Sequence, residues 1–223
     1  MFTDKLTGEA LALRALNMYY LLRNHGGWTA GGELQGVPII LEPEGAGSDF
    51  NQPRASFEKC VEQIYADVDA AMELLPMDYV DIRNASEIPA KYVQMGIKNH
   101  VEYNSVFGAT FNGRMSGRIA ESIKVLTALL AASPAYAGGT DVTYEDAANE
   151  AGAVLRNIGG VAGVDPTGYK WFMEKKTLDA LGSGECPLEI LWRGSMNNGT
   201  ESYAFGISQE SDNFPPTLYG SGR

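Results

Sequence analysis

Two short stretches carry the residue types that hold a polyhydroxylated ligand. In "TGYKWF" Tyr169 and Trp171 stand two positions apart, and in "LWRGSMNNG" Trp192 adjoins Arg193, with Asn197 and Asn198 close behind. An aromatic face covers the C–H side of a sugar ring, while planar amide and guanidinium groups fork onto neighbouring hydroxyls. Trp28, between glycine pairs in "GGWTAGG", offers a third aromatic on an irregular segment. A structural role competes with each. Trp is among the more buried residue types, so "EILW" also reads as a core strand, and Trp28 also reads as the anchor of its loop on a helix layer.

Bond-making constellations are weaker. Ser56 and Lys59 match S-x-x-K, but they open an amphipathic stretch where Ser56 serves as a helix cap. His25 and His100, the two histidines, form no H-x-x-x-H pair, and no G-x-S-x-G occurs. "GGVAGVDPTG" has neither the spacing nor the Lys-Ser/Thr ending of a phosphate loop and reads as a helix stop. Asp67 and Asp69 would point about 200° apart on a helix, which is wrong for a glycosidase pair, and with Glu73 they read as solvated. Asp78 and Asp81 lack the wider oxygen set that calcium requires. No catalytic residue, metal or cofactor is expected.

Charge and composition narrow the field. Lys+Arg 17 against Asp+Glu 28 leaves a net charge of -11, which repels nucleic-acid backbones. At 223 residues with 44% hydrophobic and 20% charged residues, the chain is able to bury roughly 70 to 75% of its unfolded surface. Cys60 and Cys186 fit no metal-ligand spacing and read as isolated thiols. No stretch reaches the ~20 apolar residues of a membrane span, and residues 1–7 lack the layout of a signal peptide.

Four segments supply the elements that would position those side chains. In the first, Leu11, Ala15, Met18, Tyr19 and Leu22 form a stripe between Thr7 as cap and Gly26 as stop. The second runs from Ser56 to Pro76 with Phe57, Val61, Ile64, Val68, Ala71 and Leu75 inward. A third places Ile119, Ile123, Leu126 and Leu130 on one stripe, thinned by Ala120, Ala128 and Ala131. The fourth begins with Thr143 and Asp146 in capping-box relation, turns Ala147, Ala151, Val154 and Ile158 inward and ends at Gly159. Two long gaps, 26–55 and 77–114, read as loops available for ligand or partner contact. Small-against-large alternation in the second and fourth helices is the device by which tetratricopeptide helix pairs stack, although the 34-residue period is broken.

Taken in order, "GEALALRALNMYYLLRNHGG", "GVPIILEP", "PRASFEKCVEQIYADVDAAMELLP", "GRMSGRIAESIKVLTALLAASP" and "NFPPTLYGSGR" resemble the SusD/RagB family, the surface nutrient-binding lipoproteins of Bacteroidetes. The resemblance implies a mainly α fold of tetratricopeptide-like helix pairs with long irregular loops and a few short strands. It also implies capture of oligosaccharide or polysaccharide, or of peptide in some members, for a SusC-like TonB-dependent transporter, without catalysis. Attachment to the outer membrane would be through a lipid anchor that this chain lacks. On this reading 1–223 is a single partial domain and an interior fragment. Its helical pairs occupy about 7–160 and a loop-rich ligand side about 161–223. The family's contacts vary between members, so Trp28, Tyr169, Trp171, Trp192, Arg193, Asn197 and Asn198 rest on local chemistry. A peptide-binding or protein-interaction scaffold is the alternative.

Overall fold

A computed structural model of the chain describes residues 1–164 and 191–192. It divides into two units, Met1–Tyr169 and Lys170–Arg223, and the architecture below is that of the first. Helix α1 spans Phe2–His25, α2 Phe57–Leu74, α3 Ala90–Gln94, α4 His100–Phe107, α5 Gly117–Ala131 and α6 Tyr144–Asn157. A two-stranded antiparallel ribbon, β1 (Gly27–Trp28) with β2 (Leu34–Gln35), sits between α1 and α2. The fold is therefore mainly α, with helix pairs and long connections.

Four long helices pack in chain order, α1 on α2, α2 on α5 and α5 on α6. Side-chain contacts show that neighbours run antiparallel. Gly8 near the start of α1 meets Leu74 and Leu75 at the end of α2, whereas Gly26 after α1 meets Phe57 at the start of α2. A Cβ on Gly8 would lie 2.7 Å from Leu75 Cγ, so the close approach of the two helices depends on the missing side chain. The same antiparallel logic links α2 to α5: Gly117 adjoins Pro76 and Met77, and Phe57 stacks on Tyr136 at 4.5 Å beyond the end of α5. Across α5 and α6, Asn157 donates to Glu121 and Lys124 faces Glu150.

Burial follows the apolar stripes. Ala12, Ala15, Met18, Tyr19 and Leu22 of α1 join Phe57, Cys60, Val61, Ile64, Val68 and Ala71 of α2 and Ile119, Ala120 and Ile123 of α5 in one core. Each large member contributes roughly 1.5–3 kcal/mol by leaving water. Side-chain caps fix three of the four long-helix starts. Ser56 accepts from Lys59 N, Ser116 from Ile119 N, and Thr143 with Asp146 closes the full capping box. Gly159, at φ 90°, follows the last turn of α6.

Four expectations need correction. Thr7 is not a cap: α1 starts at Phe2 with Met1 at the N-cap and no side-chain cap bond, so Thr7 lies inside it. Leu126 is exposed, because the buried stripe of α5 runs Ala120, Ile123, Thr127, Ala131 and Thr127 takes the inward position, its hydroxyl donating to Ile123 O at 2.8 Å. Asp67 is 2% exposed rather than solvated, since it is paired with Arg14. Asp69 and Glu73 are exposed, as expected. Finally, 77–114 is not a bare loop: α3, α4 and 3-10 turns at Ala85–Glu87 and Ala109–Phe111 enclose a second core of Tyr79, Ile88, Tyr92, Tyr103 and Phe107.

Candidate functional site

Trp28 is the sequence-derived candidate whose surroundings are described most fully. Gly26 ends α1 in extended backbone at a point where a Cβ would lie 2.5 Å from Leu22 O and 3.0 Å from the Phe57 ring, and the ribbon pairs Gly27 with Gln35 and Trp28 with Leu34. The turn is closed by Thr29, whose N–H donates to Glu33 O at 2.9 Å and whose hydroxyl accepts from Glu33 N at 3.1 Å. The indole N–H donates to Ala135 O at 2.9 Å, in the connection between α5 and α6, and the ring's far edge lies beside Gly139. One edge of Trp28 thus anchors the ribbon, while 47% of the residue remains exposed. Its donor is already used, so stacking is what its open surface offers a ligand.

Trp192 is 39% exposed and Leu191 beside it is also exposed. Tyr169, Trp171, Arg193, Asn197 and Asn198 lie outside the described residues, as does Cys186. Of the seven candidates, Trp28 and Trp192 are the two that fall among the described residues.

What sequence reasoning missed is a set of charges buried along α1. Arg14 donates from Nε and Nη2 to the two carboxylate oxygens of Asp67 at 2.7 and 2.6 Å, and Gln63 Nε2 adds a third bond at 2.9 Å. One turn earlier, Glu9 accepts the forked guanidinium of Arg114 and the hydroxyl of Tyr79, which also donates to Met115 O at 3.0 Å. Lys5, one turn before Glu9, is buried with its Nζ 2.9 Å from the centroid of Phe111 and 5.2 Å from that of Tyr79. Desolvation lowers the Lys5 pKa, and Glu9 opposes that shift. Burial, reinforced by the Glu9 carboxylate, raises that of Tyr79. The i, i+4 spacing of Lys5 and Glu9 was the visible signal, but the partners of Glu9 lie 70 and 105 positions away.

These groups position rather than react. Lys5 and Glu9 fasten 77–115 against the first half of α1, and Arg14 fastens α1 to α2. Asp78 holds Arg118 through two bonds, and Asp81 accepts from Ala109 N at 2.9 Å, so both acids serve the same connection. Cys60 is fully buried, its Sγ bonded to both the N–H and the carbonyl of Val37 at 3.4 Å, and desolvation pushes its pKa up, which keeps it a thiol. Among the described residues no three His, Cys, Asp or Glu side chains cluster to hold a metal ion. No helix there is long and apolar enough to cross a membrane.

Comparison with known proteins completes the picture. The SusD-like family described as "Starch-binding associating with outer membrane" matches residues 2–92, which run from α1 through the ribbon and α2 into α3. Among solved structures, a SusD-like protein from Bacteroides fragilis is similar at 20% identity and a TM-score of 0.44, over 69% of this chain. The similarity takes in 21% of that longer chain. No curated protein sequence matches.

Proposed function

On the similarity of residues 2–92 to the SusD-like family, we propose that this chain takes part in non-catalytic capture of glycan at the outer membrane, as part of a surface lipoprotein serving a SusC-type TonB-dependent transporter. The observation that carries the proposal is the family match over the α1–α2 pair, which bears the Trp28 ribbon at its edge. A flat aromatic surface beside a rigid helix pair suits ring stacking, which needs orientation and exposure but no bond-making group. The acidic net charge of -11 favours neutral or cationic cargo over anionic polysaccharides.

On this proposal ligand contact falls to Tyr169, Trp171, Trp192, Arg193, Asn197 and Asn198, the residues whose chemistry suits sugar rings and hydroxyls. Trp28 contributes through its open face. Tryptophan fluorescence of the full chain, titrated with starch-derived oligosaccharides, tests this. Saturable quenching that is reduced in Trp192→Ala with unchanged helical circular dichroism is expected. An unquenched signal across starch, cellulose, xylan and mannan oligomers, with equal silence toward peptides, overturns it.

The second reading, a protein-interaction scaffold, is favoured by Leu6, Leu13 and Tyr20. These exposed residues recur every seven positions on α1 and form an apolar line away from the α2 contact. Copurification with another polypeptide in the absence of any glycan affinity would select it.

A further inference from the structure

Between β2 and α2 the segment "GVPIILEPEGAGSDFNQ" is fixed at its beginning and open thereafter. Gly36 N donates to Ala55 O, Ala55 N donates to Val37 O at 3.2 Å, and Cys60 grips Val37 from both sides. A Cβ on Gly36 would collide with the Cys60 sulfur and stand 3.0 Å from Ser56 O, so the strand end lies directly against α2. Beyond Pro38 this attachment stops. Among the described residues, no backbone N–H or carbonyl of Ile39, Ile40, Leu41 or Glu42 has a hydrogen-bond partner. Ile39 packs on the core, whereas Ile40 and Leu41 are 44% and 47% exposed.

The chain then curls back. Ser48 N donates to Gly45 O at 3.0 Å, Gly45 N to Ser48 Oγ at 2.9 Å, and Gln52 Nε2 to Asp49 O at 2.8 Å. The curl encloses an open depression of about 470 Å³, lined by Ile39, Leu41 and Pro43 and by the exposed carboxylates of Glu42, Glu44 and Asp49. Glu42 lies within electrostatic reach of Arg14, but both fork bonds of that guanidinium are taken by Asp67. The depression therefore keeps its negative charge.

We propose that this depression docks a basic, extended segment of a partner polypeptide. Unpaired main-chain groups in consecutive residues accept an added strand, exposed Ile40 and Leu41 receive its apolar side chains, and the three carboxylates receive Lys or Arg. A chain of net charge -11 steers such a segment inward from a distance. The inference is independent of glycan capture and of the tryptophans.

Fluorescence anisotropy of the full chain with a short labelled peptide alternating lysine and valine tests it, with the glutamate–valine counterpart as control. The basic peptide binds and the acidic one does not. Affinity falls roughly tenfold in Glu42→Gln/Glu44→Gln, falls again between about 0.05 and about 0.5 M salt, and is lost in Leu41→Pro, which removes an N–H donor. These positions are exposed, and circular dichroism of each variant checks that the helices remain. Equal binding of both peptides, or affinity unmoved by the carboxylate changes, overturns the proposal. Self-association abolished by Leu41→Ser would overturn it in favour of a second copy, and displacement of the peptide by glucosamine oligomers in favour of a small cationic sugar.

Discussion

Arg14 and Asp67, 53 positions apart, join α1 to α2 through two parallel N–H···O bonds of 2.7 and 2.6 Å, with the Asp67 side chain only 3% exposed. The pair crosses the middle of the antiparallel contact, where a mismatch in register would leave a carboxylate buried with Gln63 alone.

Removing one partner should therefore cost more than removing both. Arg14→Ala is expected to lose about 3 kcal/mol, the low end for a buried pair because Arg14 is a third exposed. Arg14→Met/Asp67→Leu is expected to recover most of that loss, since neither charge is then left alone. Urea denaturation of the two variants and the parent measures both.

Glu9 is expected to control 77–115 rather than the whole unit. Glu9→Gln weakens the forked bond to Arg114 and removes the charge that offsets Lys5 desolvation. Hydrogen exchange should quicken across the cluster of Tyr79, Tyr92, Tyr103 and Phe107 while the α2 core amides, around Ile64 and Val68, stay protected. Uniform acceleration in both places would contradict this division.

Alkaline pH should destabilise the fold. Burial raises the Tyr79, Tyr92 and Tyr103 pKa values above the ordinary phenol and that of Tyr65 to about 12. A group whose folded pKa is raised contributes stability below its unfolded value, and that contribution is lost as pH rises through the folded one. The lowered Lys5 pKa acts oppositely, adding stability as pH climbs toward 10.5, but one group opposes four. Thermal melts from about pH 9 to about 12 should show falling stability above about 10, with tyrosinate absorbance appearing late.

Cys60 should resist thiol reagents until the chain opens. In a Cys186→Ala background, labelling is expected to follow global unfolding, because the Sγ is buried and bonded to Val37. Gly36→Ala, which drives a methyl toward that sulfur, should cost about 1–3 kcal/mol and speed the reaction.

The sequence made the long helices legible where local chemistry marks an end. Ser56, Thr143 and Gly159 act on bonds within a turn, so their meaning is visible without tertiary structure. The start of α1 was hidden because no side chain caps it, which left Thr7 as a false signal. Helices α3 and α4, of 5 and 8 residues, are too short to show a repeating stripe, and their aromatics become a core only on folding. Asp67 lies on the inward stripe next to Val68, but a charge reads as solvated until a distant Arg14 is brought against it. Trp28 shows the corresponding ambiguity for the site. Its indole serves anchorage at one edge and stays open at the other, a division no residue type announces.

Calorimetric titration of the full chain with a panel of oligosaccharides, each sample assayed afterwards for new reducing ends, tests the central claim most directly. The account predicts saturable heat for at least one neutral glycan, weakened in Trp192→Ala, with every sugar recovered intact. Release of shorter sugars, or heat from none of the glycans, would contradict it.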